Sequence, residues 1–172
     1  MRQRLSYIFV WLMRISHCRG FGIQSPADYW LVRYVINEHW PYYQYAQIGC
    51  RDDWLTRKLG RLYFRLANWR QPSVITSNSY GEYLHAGCRK AVFGEATELV
   101  LLPVDECRQL LPQLFDKMGD KSVLVVEGIQ DDKVLWHDIV ADQRAIITFD
   151  LYYCGIVLFD NKRTKQKYII NF

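Results

Sequence analysis

Ser73-Val74-Ile75-Thr76-Ser77-Asn78-Ser79-Tyr80-Gly81 is the stretch on which the fold turns. A short β-branched run ends in a polar turn, and a helix-like segment follows over residues 80–93, closed by Gly94. An α/β fold that binds a nucleotide places a glycine-rich turn and an anchoring acid at such a junction. Here the turn has one glycine and the strand ends without an acid. Ser, Asn and Tyr stand where glycines would let the backbone approach a ligand. An ordinary strand-to-helix turn accounts for this segment better than a working dinucleotide fingerprint does.

Downstream, residues 98–102 are a short apolar strand stopped by Pro103, and residues 104–118 a helix closed by Gly119. Residues 122–129 are a continuous valine-rich run, as expected of a strand buried on both faces. Residues 131–142 form a helix with Asp131 or Asp132 in the first turn, where an acid suits the helix dipole. Residues 145–151, 154–160 and 168–172 read as strands that pair antiparallel, with a polar turn over 161–165. Upstream, Ser25-Pro26 supplies an N-cap and a first helical residue for a helix that ends before Pro41. Asp52-Asp53 opens a second helix, with Leu55, Leu59, Leu62, Leu66 and Trp69 on one face and Arg57, Arg61 and Arg65 on the other. The pattern is one α/β domain over residues 1–172: a helical part, 1–71, then a mainly parallel, Rossmann-like sheet with helices on both faces, 72–172.

A chain of 172 residues, half of them hydrophobic, can bury a proper core. The net charge of +4 permits an acidic partner without demanding one. Five cysteines at 18, 50, 88, 107 and 154, with no CxxC pair, point to reduced thiols in a cytoplasmic protein. The basic start followed by apolar residues 5–13 imitates a signal peptide, but Arg14, His17 and Arg19 follow at once and no cleavage site appears. The run is also far short of the ~20 residues that span a bilayer. It reads as a helix, with a membrane-surface helix as the alternative.

Several stretches resemble one family. Arg19-Gly20-Phe21-Gly22-Ile23-Gln24-Ser25-Pro26 is similar to the "GHGxHSPF" opening of a bacterial group of class I S-adenosylmethionine-dependent methyltransferase-like proteins. Residues 59–69 resemble the helix before that group's first strand. Ile147-Thr148-Phe149-Asp150-Leu151, Gly155-Ile156-Val157 and Tyr168-Ile169-Ile170-Asn171-Phe172 resemble its "TIDLFxxGIVFF…IRF" ending. The resemblance implies a class I methyltransferase fold, here truncated, with S-adenosylmethionine as the cofactor if activity is retained. The departures imply loss. The turn of Ser77, Asn78, Ser79 and Gly81, the matching cofactor-binding positions, lacks the acid and glycines. The segment between Ser79 and Glu98 leaves no room for the family's second and third strands, the second of which carries the ribose-binding acid. Asp105 and Glu127 are what remains of the acids after the fourth and fifth strands.

Asp105 and Glu127 are therefore the candidate catalytic residues, at the carboxyl ends of parallel strands, where such folds place ligands. Two carboxylates could hold Mg²⁺, but without a third ligand no metal site is expected. His17, His39, His85 and His137 have no metal-ligand spacing. His17, near Arg14 and Arg19, could transfer a proton, although a surface helix explains it too. Arg57, Arg61 and Arg65 would welcome phosphate, nucleic acid or an acidic protein surface, yet a solvated face is the commoner explanation. Lys162, Arg163, Lys165 and Lys167 read as a charged turn.

Three functions follow as expectations. The first is a non-catalytic homologue, without cofactor, acting by binding or self-association. The second is an active S-adenosylmethionine-dependent methyltransferase with a remodelled site. The third and least favoured is a basic nucleic-acid-binding module. A homodimer is expected if residues 73–76 form a sheet edge, because unpaired edges attract partners. Trp40-Pro41-Tyr42-Tyr43-Gln44-Tyr45 offers interface aromatics.

Overall fold

A computed structural model describes residues 2–172, with side chains and burial from residue 7 onward. The N-terminal part contains α1 (Arg2–Met13), a 3-10 turn (Ile15–His17), α2 (Pro26–Leu31) running into a π turn (Val32–Ile36), a second 3-10 turn (Tyr43–Ala46) and α3 (Trp54–Arg70). Then come β1 (Val74–Ser77), α4 (Gly81–Gly87), β2 (Val92–Phe93), β3 (Leu99–Pro103), α5 (Val104–Lys117) and β4 (Val123–Glu127). The chain closes with α6 (Lys133–Ala141), β5 (Ile147–Asp150), β6 (Cys154–Leu158) and β7 (Gln166–Ile169). The fold is α/β, with one mixed sheet in the order β2-β1-β3-β4-β6-β5-β7. Only β6 runs antiparallel to its neighbours.

The local chemistry explains the boundaries. Ser25 Oγ accepts from the Asp28 N–H at 3.4 Å, and Pro26 takes the first helical position. Asp53 Oδ1 accepts from the Thr56 N–H at 2.9 Å and starts α3. That helix ends at Gln71, left-handed with φ 48°, just before Pro72. On β3 and β4, alternate residues feed two separate cores. Leu99, Leu101, Val123 and Val125 pack on the α2–α3–α4 side, and Val100, Leu102, Leu124 and Val126 on the α5–α6 side. Burial on both faces is what made the 122–129 run continuous rather than alternating.

Five expectations are corrected. The helix expected over 80–93 stops at Gly87, and Val92–Phe93 forms β2, parallel to β1. A two-residue strand does fit between Ser79 and Glu98, so β1 is interior and the sheet-edge route to a homodimer loses its premise. The last strand spans Gln166–Ile169 and pairs parallel to β5, because β6 already occupies the antiparallel position between β4 and β5. Arg65 is not on a solvated face; it is 7% exposed. The 162–167 cluster is not simply a charged turn. Arg163 Nη2 lies 2.6 Å from the fully buried Asp28 carboxylate, and Lys165 Nζ donates to the backbone carbonyls of Asp142 and Ala145.

Among the described residues no helix is long and apolar enough to cross a membrane. On α1, Ile8, Phe9, Leu12 and Met13 are exposed. The helix is anchored by Tyr7, whose ring lies 4.7 Å from Trp54 and 5.8 Å from Tyr153. Just past its end, Arg14 pairs with Asp150 at 2.6 Å.

Candidate functional site at the ends of β1 and β4

The turn after β1 closes on itself. Ser77 Oγ donates to the Ser79 carbonyl at 2.7 Å and accepts from the Ser79 N–H at 3.2 Å. Asn78 is exposed, and Gly81 faces open space. Tyr80 is left-handed, φ 56°, a conformation that a non-glycine residue holds only against strain. Its ring stands edge-on to the ring of Tyr63 on α3, 4.8 Å between centroids.

Glu127, at the end of β4, is joined to this turn. Its Oε1 accepts from the Tyr63 hydroxyl at 3.0 Å, and its Oε2 from Ser79 Oγ at 3.1 Å. Burial pushes the Glu127 carboxyl above its ordinary range, against the hydroxyls of Tyr63, Ser79 and Tyr80, which pull it down. Burial also raises the Tyr63 and Tyr80 phenols and the Cys154 thiol. The place where a ligand would meet the carboxyl ends of β1 and β4 is thus packed with neutral hydroxyls around one carboxyl. Beside it, α4 is clamped to α3. The Tyr83 ring lies against Gly60, where a Cβ would come within 2.5 Å, and its hydroxyl donates to Asp52 Oδ2 at 2.7 Å.

The structure unites Ser79 with Glu127 and leaves Asp105 apart. Asp105 is exposed in the first turn of α5, and among the described residues no hydrogen bond joins it to Glu127. No group of three or more His, Cys, Asp or Glu that could hold a metal occurs among the described residues. His137 is exposed next to Asp138. Tyr63 was not singled out from sequence, because it sits within the apolar stripe of α3 and reads as core. Its signal is the hydroxyl, since a buried tyrosine needs an acceptor.

Two cavities of ligand size lie elsewhere, and neither is lined by Ser77, Asn78, Ser79, Gly81, Asp105 or Glu127. One, about 980 Å³, runs between α1, α6 and the β5–β7 edge, with Arg14, His17 and Asp150 in its wall. The other, about 680 Å³, lies between the basic face of α3 and the 36–46 segment. Lys58, absent from the sequence candidates, joins Arg57, Arg61 and Arg65 there. Its ammonium sits 4.8 Å from the Trp54 ring centroid and 4.5 Å from that of Phe172, and burial pushes its pKa down to about 8. Comparison of the chain with protein-family models, curated proteins and solved structures returns no match.

Proposed function

We propose that this chain is a methyltransferase-like α/β protein that has given up S-adenosylmethionine and catalysis and acts by binding. The observation that carries this is the Ser79–Glu127–Tyr63 linkage. The polar groups nearest a ligand at the β1 and β4 ends are engaged with one another, and the Tyr80 ring packs beside them. The cofactor fits these residues poorly. The turn offers side chains where the backbone should approach, and Glu127 is oriented into α3. The sheet order supports the ancestry. The antiparallel β6 between β4 and β5 is what a class I methyltransferase sheet would keep after losing its third strand, and the parallel edge strand β7 is an addition to it.

Calorimetric titration with S-adenosylmethionine tests the proposal. Each lost ribose or backbone hydrogen bond weakens binding by ~1–3 kcal/mol, so no binding is expected in the low micromolar range. A low-micromolar dissociation constant would overturn it and favour an active enzyme with a remodelled site.

A further inference from the structure

We infer that the cavity against the basic face of α3 is a binding site for a phosphorylated ligand with a flat aromatic ring, a nucleoside phosphate in chemical class. Its volume, about 680 Å³, lies within the ~300–1,000 Å³ of small-molecule sites. Four cations on three successive turns of α3 line it: Arg57, Lys58, Arg61 and Arg65. The one acidic side chain in the lining is Glu38, whose Oε2 already accepts from the Tyr42 hydroxyl at 2.7 Å.

Elsewhere four arginines pair with acids, Arg14 with Asp150, Arg108 with Asp132, Arg144 with Asp116 and Asp142, and Arg163 with Asp28, while among the described residues Arg19, Arg33, Arg51, Arg70 and Arg89 do not. Among the described residues, none of the four cavity cations has a carboxylate within 4.0 Å. Two of them are fixed in place by backbone. Arg57 donates to the carbonyls of Gly49 and Asp52 at 3.1 and 2.8 Å, and Arg65 to those of Val35 and Ile36 at 2.5 and 2.8 Å. These are held charges that shape the local field. The Lys58 and Arg61 side chains make no hydrogen bond among the described residues. They rest over aromatic rings, Arg61 4.7 Å from the Tyr45 centroid. Their donors are available to phosphate oxygens. A solvated arginine face does not explain this arrangement, because Arg65 is buried and the Lys58 ammonium is held largely out of water.

The aromatic half of the lining selects the rest of the ligand. Trp40 and Trp11 line the cavity, and the two residues are 73% and 46% exposed. Indole faces stack on any nucleobase. Free phosphate would use the cations and waste the rings, and a bare nucleoside would do the reverse. A ligand with both groups satisfies the whole lining.

The inference goes beyond the reading of the β1 turn, and the two are tested separately: S-adenosylmethionine reads the turn, and ADP reads the cavity. Calorimetry of the full chain with ADP, adenosine and inorganic pyrophosphate is the experiment. ADP is expected to bind at micromolar concentrations, with adenosine and pyrophosphate each at least about tenfold weaker. Lys58→Met and Arg61→Gln should each weaken ADP by about tenfold or more, while Arg108→Gln, outside the cavity, should not. Cooperative urea transitions with midpoints no lower than that of the wild type would show that the variants fold. No ADP binding at ~1 mM overturns the inference, as does equal binding by the variants. So does a signal that survives Lys58→Met but falls with Ser79→Ala, which would place ADP at the β1 turn. Binding of a single-stranded oligonucleotide without ADP binding also overturns it and makes the face a nucleic-acid surface.

Discussion

The Tyr63 hydroxyl donates to Glu127 across 3.0 Å, tying the middle of α3 to the end of the central strand β4. Tyr63→Phe removes that donor from a largely buried carboxyl and should destabilise the fold by ~1–3 kcal/mol in urea unfolding. The penalty should depend on pH. Burial holds the folded Glu127 pKa above its unfolded value. Its contribution is then fully present below the unfolded value, ~4.3, and is lost as pH rises through the folded one. Tyr63 is one of the groups pulling that folded value down, so Tyr63→Phe should raise it further. The variant should lose more stability at pH 8 than at pH 5. An equal penalty at both would mean that the hydrogen bond does not respond to the carboxyl's charge.

Tyr80 separates strain from packing. Its φ of 56° favours glycine, while its ring packs against Tyr63. Tyr80→Ala loses the ring and keeps the strain; Tyr80→Gly loses the ring and relieves it. The glycine variant should be the more stable of the two by ~1 kcal/mol in urea midpoint comparisons, although glycine is the more flexible residue when unfolded. An alanine variant that is equally or more stable would show that the turn is unstrained.

Strong periodicity made much of the architecture legible. The i, i+4 leucines of α3, its Asp53 cap and the valines of β4 are local signals, and the structure has those elements. β2 was not legible. Val92–Phe93 is two residues long, and only pairing with β1 distinguishes it from the end of a helix. The parallel pairing of β7 with β5 was hidden for a similar reason, since sequence proximity favours a hairpin and only β6 occupying the neighbouring position excludes it. Within the site, Ser79 and Glu127 were both named, but the partner that joins α3 to them was not. Tyr63 carries no motif, and its role depends on a contact 64 residues away in sequence. Arg65 was misplaced because a regular arginine spacing looks like a solvated face, whereas here the π turn after α2 covers it.

Val125 and Val126 lie side by side in β4, the central strand, and face opposite cores. Val125→Asp and Val126→Asp each place a carboxylate in a dry core without a partner, a cost of several kcal/mol that rivals the whole stability of a small domain. Neither variant should give soluble protein with a cooperative thermal transition. One that does would show that its core can open to water.

Lys58 gives the last prediction. Burial pushes its pKa from 10.5 to about 8. The folded chain therefore holds this proton less tightly than the unfolded chain does. For a depressed pKa, the contribution is fully present above the unfolded value and is lost as pH falls through the folded value. Raising pH from 8 towards 10 should thus recover stability from Lys58. Other groups act in the opposite direction: burial raises Tyr42 and Cys107 to about 12, and their contributions fade at high pH. The difference between the wild-type chain and Lys58→Met isolates the lysine, because these other groups are common to both. At pH 7 the methionine variant should be the more stable by about 2 kcal/mol, after discounting for partial solvent screening. The gap should narrow towards pH 10 in chemical unfolding. A gap that is constant with pH, or a variant less stable at pH 7, would mean that the Lys58 ammonium is well compensated within the fold, and that the cavity does not lack an anion.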